Sequence, residues 1–154
     1  MANRRLAPPD QQPKEFSFTA ENAAWAKQQI AKYPAGRQQS AIIPLLWRAQ
    51  EQNGGWLPEA AIRLVSEMLD MAHIRALEVA TFYTMLHVEP VGRRRFYVCQ
   101  TPSCALAGAE ELIEAFGKRL GIGLGETTPD GLYSLFPMEC LGSCGTGPVV
   151  MINN

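Results

Sequence analysis

Four cysteines, spaced Cys99-x4-Cys104 and, thirty-five residues later, Cys140-x3-Cys144, make up the whole thiol inventory of the chain. Both pairs sit in short stretches flanked by glycine, and such a layout reads as one metal site. Three chemistries fit it: disulfides, an all-cysteine zinc site, or an iron–sulfur cluster. Disulfides need an oxidising compartment, and the secreted scaffolds that depend on them are usually smaller and denser in cysteine than four in 154 residues. Structural zinc sites draw their ligands from tight knuckles with about two to four residues between cysteines, which the second pair satisfies. A two-iron cluster takes four thiolates in pairs, and the four-residue gap of the first pair also opens the plant-type ferredoxin motif. Iron–sulfur is the favoured chemistry, with zinc and disulfide pairing as the alternatives.

The surroundings of the cysteines suit a cluster better than a reactive thiol. Residues 99–109 (CQTPSCALAGA) and 140–154 (CLGSCGTGPVVMINN) carry no charged side chain, and Gly108, Gly142, Gly145 and Gly147 let backbone come close. A two-iron, two-sulfide cluster on four thiolates is a net dianion when oxidised. Uncharged loops rich in backbone N–H groups stabilise such a charge without a salt bridge.

Composition narrows the function classes. With 47% hydrophobic and 19% charged residues, the chain buries a real core, as one compact unit or two small subdomains. A formal charge of −1 offers no field for nucleic acid, and Arg93-Arg94-Arg95 reads as a solvated strand end. No apolar stretch approaches the roughly 18 residues of a membrane span, so direct membrane insertion is not expected. The opening MANRRLAPPDQQPKEF has arginines but no apolar region after them, so residues 1–17 read as a flexible arm and not as a secretory signal. Reduced cysteines in a cytoplasmic compartment follow.

The front half, residues 18–90, reads as a helical bundle. Thr19 caps a helix running to about Tyr33, and Pro34-Ala35-Gly36 stops it. A second helix spans about Gln38 to Gln52, with Pro44 acceptable in the first turn or at a kink. Pro58 stands at a first helical position before Ile62, Val65 and Leu69, and a last helix carries Val79, Phe82, Tyr83 and Leu86 as a core stripe. After Pro90-Val91-Gly92 the period changes. Phe96-Tyr97-Val98 is a β-type run into Cys99, with Gln100–Ser103 as the first cysteine loop. Ala109, Leu112, Ile113, Phe116 and Leu120 form a helical stripe with acidic residues at its start and basic ones at its end. Leu132–Phe136 reads as a strand feeding Cys140, and Pro148–Asn153 as another. The class is α+β: a helical bundle, then an α/β half carrying the cysteines.

The segments LEVATFYTML, GETTPDG and ECLGSCGTGPVVMIN, with the full cysteine spacing, resemble the thioredoxin-like [2Fe–2S] subunit of respiratory complex I, the E-type subunit of bacterial NADH:quinone oxidoreductase. The likeness runs from about residue 18 to the end. It implies that residues 91–154 form a thioredoxin-like domain in which Cys99, Cys104, Cys140 and Cys144 hold one [2Fe–2S] cluster as an electron carrier, with no catalytic residue of its own. It also implies that residues 18–90 dock onto an F-type partner subunit bearing FMN and NADH, within the peripheral arm at the cytoplasmic face of the inner membrane. A cis Gly147–Pro148 bond is a further expectation. Members of the family continue past the MINN strand into a C-terminal helix, whereas this sequence ends at Asn154, so that helix is expected to be absent and the sheet edge beside it uncovered. The same module serves NAD-linked formate dehydrogenases and hydrogenases, and a zinc-stabilised interaction module without redox function is the reading from another class.

His73 and His87 could replace cysteine ligands as in a Rieske centre, but four cysteines suffice and both histidines fall in the helical half. Gly121, Gly123 and Gly125 follow a helix instead of opening one after a strand, so they offer no dinucleotide cradle, and no flavin or NADH site is expected on this chain.

Overall fold

The computed structural model describes residues 5–153. The chain divides into two compact units that part between Pro90 and Val91.

In the first unit, helix α1 (Ala20–Ile30) starts at Thr19, whose hydroxyl accepts the Asn22 N–H at 3.3 Å. Gln52 binds both residues, its Oε1 taking the Thr19 N–H at 3.0 Å and the Asn22 side-chain amide at 2.7 Å. A 3₁₀ turn (Gln38–Ala41) leads into α2 (Ile42–Gln52), which places Pro44 in the first turn, where its missing N–H costs no helical hydrogen bond. Helix α3 (Glu59–Met68) begins one residue later than expected, with Pro58 as its N-cap. Leu45, Leu46, Leu57, Ile62, Val65 and Leu86 fill the core, each fully buried.

One expectation is corrected here. The stripe on the last helix was to carry Phe82 and Tyr83 into the core, but α4 (His73–Phe82) ends at Phe82 and Tyr83 turns extended. With the helical period broken, Ala76, Ala80 and Leu86 are the buried positions, while Phe82 is 75% exposed and meets Tyr83 edge-on at 5.0 Å between ring centroids. The segment read above as a flexible arm makes contacts of its own. From residue 5 onward the chain lies seated on this unit: the Ala7 N–H donates to Val88 O, Gln12 spans Ala7 O and the Glu59 N–H at 3.0 Å each, and Leu6 and Phe16 pack on the core. These bonds and apolar contacts hold a segment whose composition alone suggested none; residues 1–4 of that arm lie outside the described residues.

The second unit is a three-stranded sheet in the order β2-β1-β3. Strand β1 (Arg94–Cys99) pairs parallel with β2 (Tyr133–Met138) and antiparallel with β3 (Val150–Ile152). A parallel pair needs a long crossover, and here it holds the short helix α5 (Pro102–Leu106) and α6 (Ala109–Leu120). Glu110 and Glu111 at the start of α6 and Lys118 and Arg119 at its end complement its dipole, and Gly121 closes it at φ 69°. Strand β2 runs two residues past its expected end, through Pro137, because it is an edge strand whose outer side needs no ladder N–H there. Gly92 enters β1 so close to β2 that an added Cβ would lie 2.5 Å from the Tyr133 carbonyl carbon. Among the described residues no helix is long and apolar enough to cross a membrane.

Gln50 joins α2 to the last turn of the first unit. Its buried amide accepts the His87 N–H at 2.6 Å and donates to Met85 O at 3.0 Å. Gln50→Leu keeps the volume and removes both bonds, so it should destabilise folding by about 1–3 kcal/mol. Urea titration would read this as a lower midpoint at an unchanged slope; an unchanged midpoint would refute the bridging role.

Candidate metal centre

The topology brings the cysteine segments to one end of the sheet. Cys99 is the last residue of central strand β1. Because β2 runs parallel to it, with Cys99 opposite Met138, the chain leaves β2 at the same end and reaches Cys140. Because β3 runs antiparallel, it begins at that end, just after Cys144 and Pro148. Backbone bonds fix the junction: the Gln100 N–H donates to Met138 O at 2.8 Å and the Cys99 N–H to Val149 O at 3.1 Å. The Gly147–Pro148 peptide is cis.

The four cysteines are free thiols in two environments, Cys99 and Cys104 buried, Cys140 and Cys144 exposed. Cys104 does not lie in a simple loop as expected but within α5, because Thr101 and Pro102 start a helix that takes it in. Hydrogen bonds from the Thr101 hydroxyl and then its backbone draw the Cys99 thiol down to about 7, against the opposing effect of burial. Its neighbour Cys104 is pushed up, first by its hydrogen bond to Cys99 and then by burial. Two thiols that share a proton in this way favour one thiolate, the form that binds metal. Around the outer pair, the Gly142 N–H, held by φ 69°, lies 3.4 Å from Cys140 Sγ. Gly147 lies beside Cys104, where a Cβ would make ordinary contact with its sulfur at 3.6 Å.

The structure therefore joins Cys99 to Cys104 and sets the Cys140 segment beside Cys99, whose sulfur lies 3.8 Å from Glu139 O. Among the described residues no three His, Cys, Asp or Glu side chains gather round one point. The donor set fits a [2Fe–2S] cluster: soft sulfur ligands with backbone N–H groups turned toward sulfur. The histidines serve elsewhere. His73 Nε2 lies 3.7 Å from Glu59 Oε1 and His87 is buried in the helical core region. Thr101 was not singled out in the sequence, although a hydroxyl two residues after a strand-end cysteine and just before a helix-starting proline was a usable signal.

Substitution separates the two environments. Cys104→Ala and Cys140→Ser should both lose most iron and sulfide on anaerobic assembly, because metal binding and folding are coupled. Only Cys104→Ala also removes a buried group, so its metal-free form should melt below that of Cys140→Ser. Full iron and sulfide in either variant would contradict the ligand assignment.

The pattern common to thioredoxin-like [2Fe–2S] ferredoxins matches residues 26–154. The chain is 51% identical over 153 residues to an E-type subunit of the NADH-quinone oxidoreductase of Rhizobium meliloti (strain 1021), covering 99% of this chain and 55% of that protein. It is 48% identical over 139 residues to the corresponding NADH-quinone oxidoreductase protein of Rickettsia bellii (strain RML369-C), covering 90% and 83%. Against its counterpart in Rickettsia prowazekii (strain Madrid E) the identity is 46%, with 90% and 78% covered.

Proposed function

Since the chain belongs to the thioredoxin-like [2Fe–2S] ferredoxin family, we propose that it is an electron-transfer subunit of an NADH:quinone oxidoreductase, with a cluster held by Cys99, Cys104, Cys140 and Cys144. The observation that carries this reading is the convergence of both cysteine segments on one end of a three-stranded sheet, with uncharged loops around them. A bound cluster supplies one-electron chemistry, accepting and returning single electrons without making a bond.

The chain's own residues do the rest. Thr101, Gly142 and the neighbouring backbone offer hydrogen bonds to sulfur, and burial of Cys99 and Cys104 keeps water from the inner pair. No charged side chain in residues 99–109 or 140–154 neutralises the added electron, so backbone dipoles and solvent access govern how readily the site is reduced. The first unit is the docking half. It meets the flavin- and NADH-bearing F-type subunit, which carries the FMN, and so keeps the chain in the peripheral arm at the cytoplasmic face of the membrane. Relatives named as parts of NADH-quinone oxidoreductase favour this assembly over a formate dehydrogenase or hydrogenase built on the same module.

Affinity purification of the tagged chain from its native host tests this reading. The expected companions are a flavoprotein and the membrane subunits of a quinone reductase. Recovery with a molybdenum or nickel protein instead would move the chain to the formate dehydrogenase or hydrogenase assembly.

A further inference from the structure

Thr101 occupies the N-cap of α5, where a threonine hydroxyl ordinarily accepts an N–H from the first turn. It makes no such bond. The start of the helix is held by the Thr101 carbonyl, which accepts the N–H groups of Cys104 and Ala105 at 2.9 Å each. The hydroxyl is left for Cys99, with Oγ1 and Sγ 3.2 Å apart. The hydroxyls on either side of Cys144 are spent differently: Ser143 and Thr146 bond each other at 2.7 Å.

Between a thiol and a hydroxyl either group can donate, but a sulfur bound to iron has no proton and only accepts. The proton in that contact then belongs to Thr101. Glu139 O, the other oxygen near Cys99, has no proton to give. One-electron reduction adds a negative charge shared by the ligand sulfurs, and a hydrogen bond to an acceptor strengthens as its charge grows. Hydrogen bonds to the sulfurs are among the factors that set the potential of a cluster.

We infer that Thr101 is a positioning residue that raises the reduction potential of the centre by donating its O–H to Cys99 Sγ. This rests on the iron–sulfur reading and assigns to one side chain part of what governs the ease of reduction.

The test is an anaerobic redox titration of the full chain carrying its assembled cluster, comparing wild type, Thr101→Val, Thr101→Ser and Thr101→Ala. Valine keeps the shape and removes the donor. Its potential should fall, lowering the reduced-to-oxidised ratio at fixed poise by about threefold or more, where tenfold is 59 mV for one electron. Serine restores the donor and should return the potential toward wild type at equal iron and sulfide content. A valine variant with full iron and sulfide and an unchanged potential would overturn this inference alone. Loss of the cluster in the valine and alanine variants alike would also overturn it, because the hydroxyl would then serve assembly and not potential. A wild-type chain that takes up no iron and sulfide would overturn both this inference and the reading beneath it.

Discussion

The pairing of β1 on both sides is the constraint on which the site depends. A central strand with one parallel and one antiparallel neighbour gathers at one end its own last residue, the exit of β2 and the entry of β3. Those three points are where the cysteine segments attach. Cys99 is locked there, because its N–H bonds to Val149 O, just ahead of β3, and that of Gln100 to Met138 O at the end of β2. A one-residue slip in either register would turn Cys99 to the opposite face from its partners. Gly92, which no larger residue could replace without pushing into the Tyr133 backbone, protects the parallel register at the other end of β1.

Electrostatics follows from the same geometry. The inner pair of cysteines lies in the core of the second unit with Val98, Ile122 and Leu135, while the outer pair is exposed. A charge placed between such pairs is part desolvated and part open to whatever covers the outer loop. Hydrogen bonds to sulfur offset that desolvation, and the structure supplies them from backbone N–H groups and from Thr101. The two cysteine segments themselves, residues 99–109 and 140–154, carry no charged side chain.

Much of this was legible in the sequence because local signals agreed with tertiary need. Thr19 caps α1, Pro44 falls in a first turn, and α6 keeps both its limits, since capping, dipole charge and apolar period all pointed the same way. The misreadings came where tertiary contacts override local pattern. The stripe through Phe82 and Tyr83 assumed an unbroken helix, but the backbone leaves the helical region at Tyr83 and buries small alanines instead. Residues 5–17 have no periodic pattern, and the bonds of Gln12 to the Glu59 N–H and of the Gln52 amide to Ser17 O join distant parts of the sequence, which periodicity cannot reveal. For the site, spacing and family resemblance named the four cysteines. The division into a buried and an exposed pair emerged only with the fold, as did the turn of the Thr101 hydroxyl from its helix to a sulfur.

The chain forms two compact units, and all four cysteines fall in the second, the one built on the sheet. Metal and sulfide analysis of the anaerobically purified chain, combined with electron paramagnetic resonance after dithionite reduction, tests the central claim most directly. Two irons and two acid-labile sulfides per chain, with a paramagnetic signal that appears on one-electron reduction, is the predicted result. A colourless protein that binds zinc and stays silent after dithionite would contradict the account.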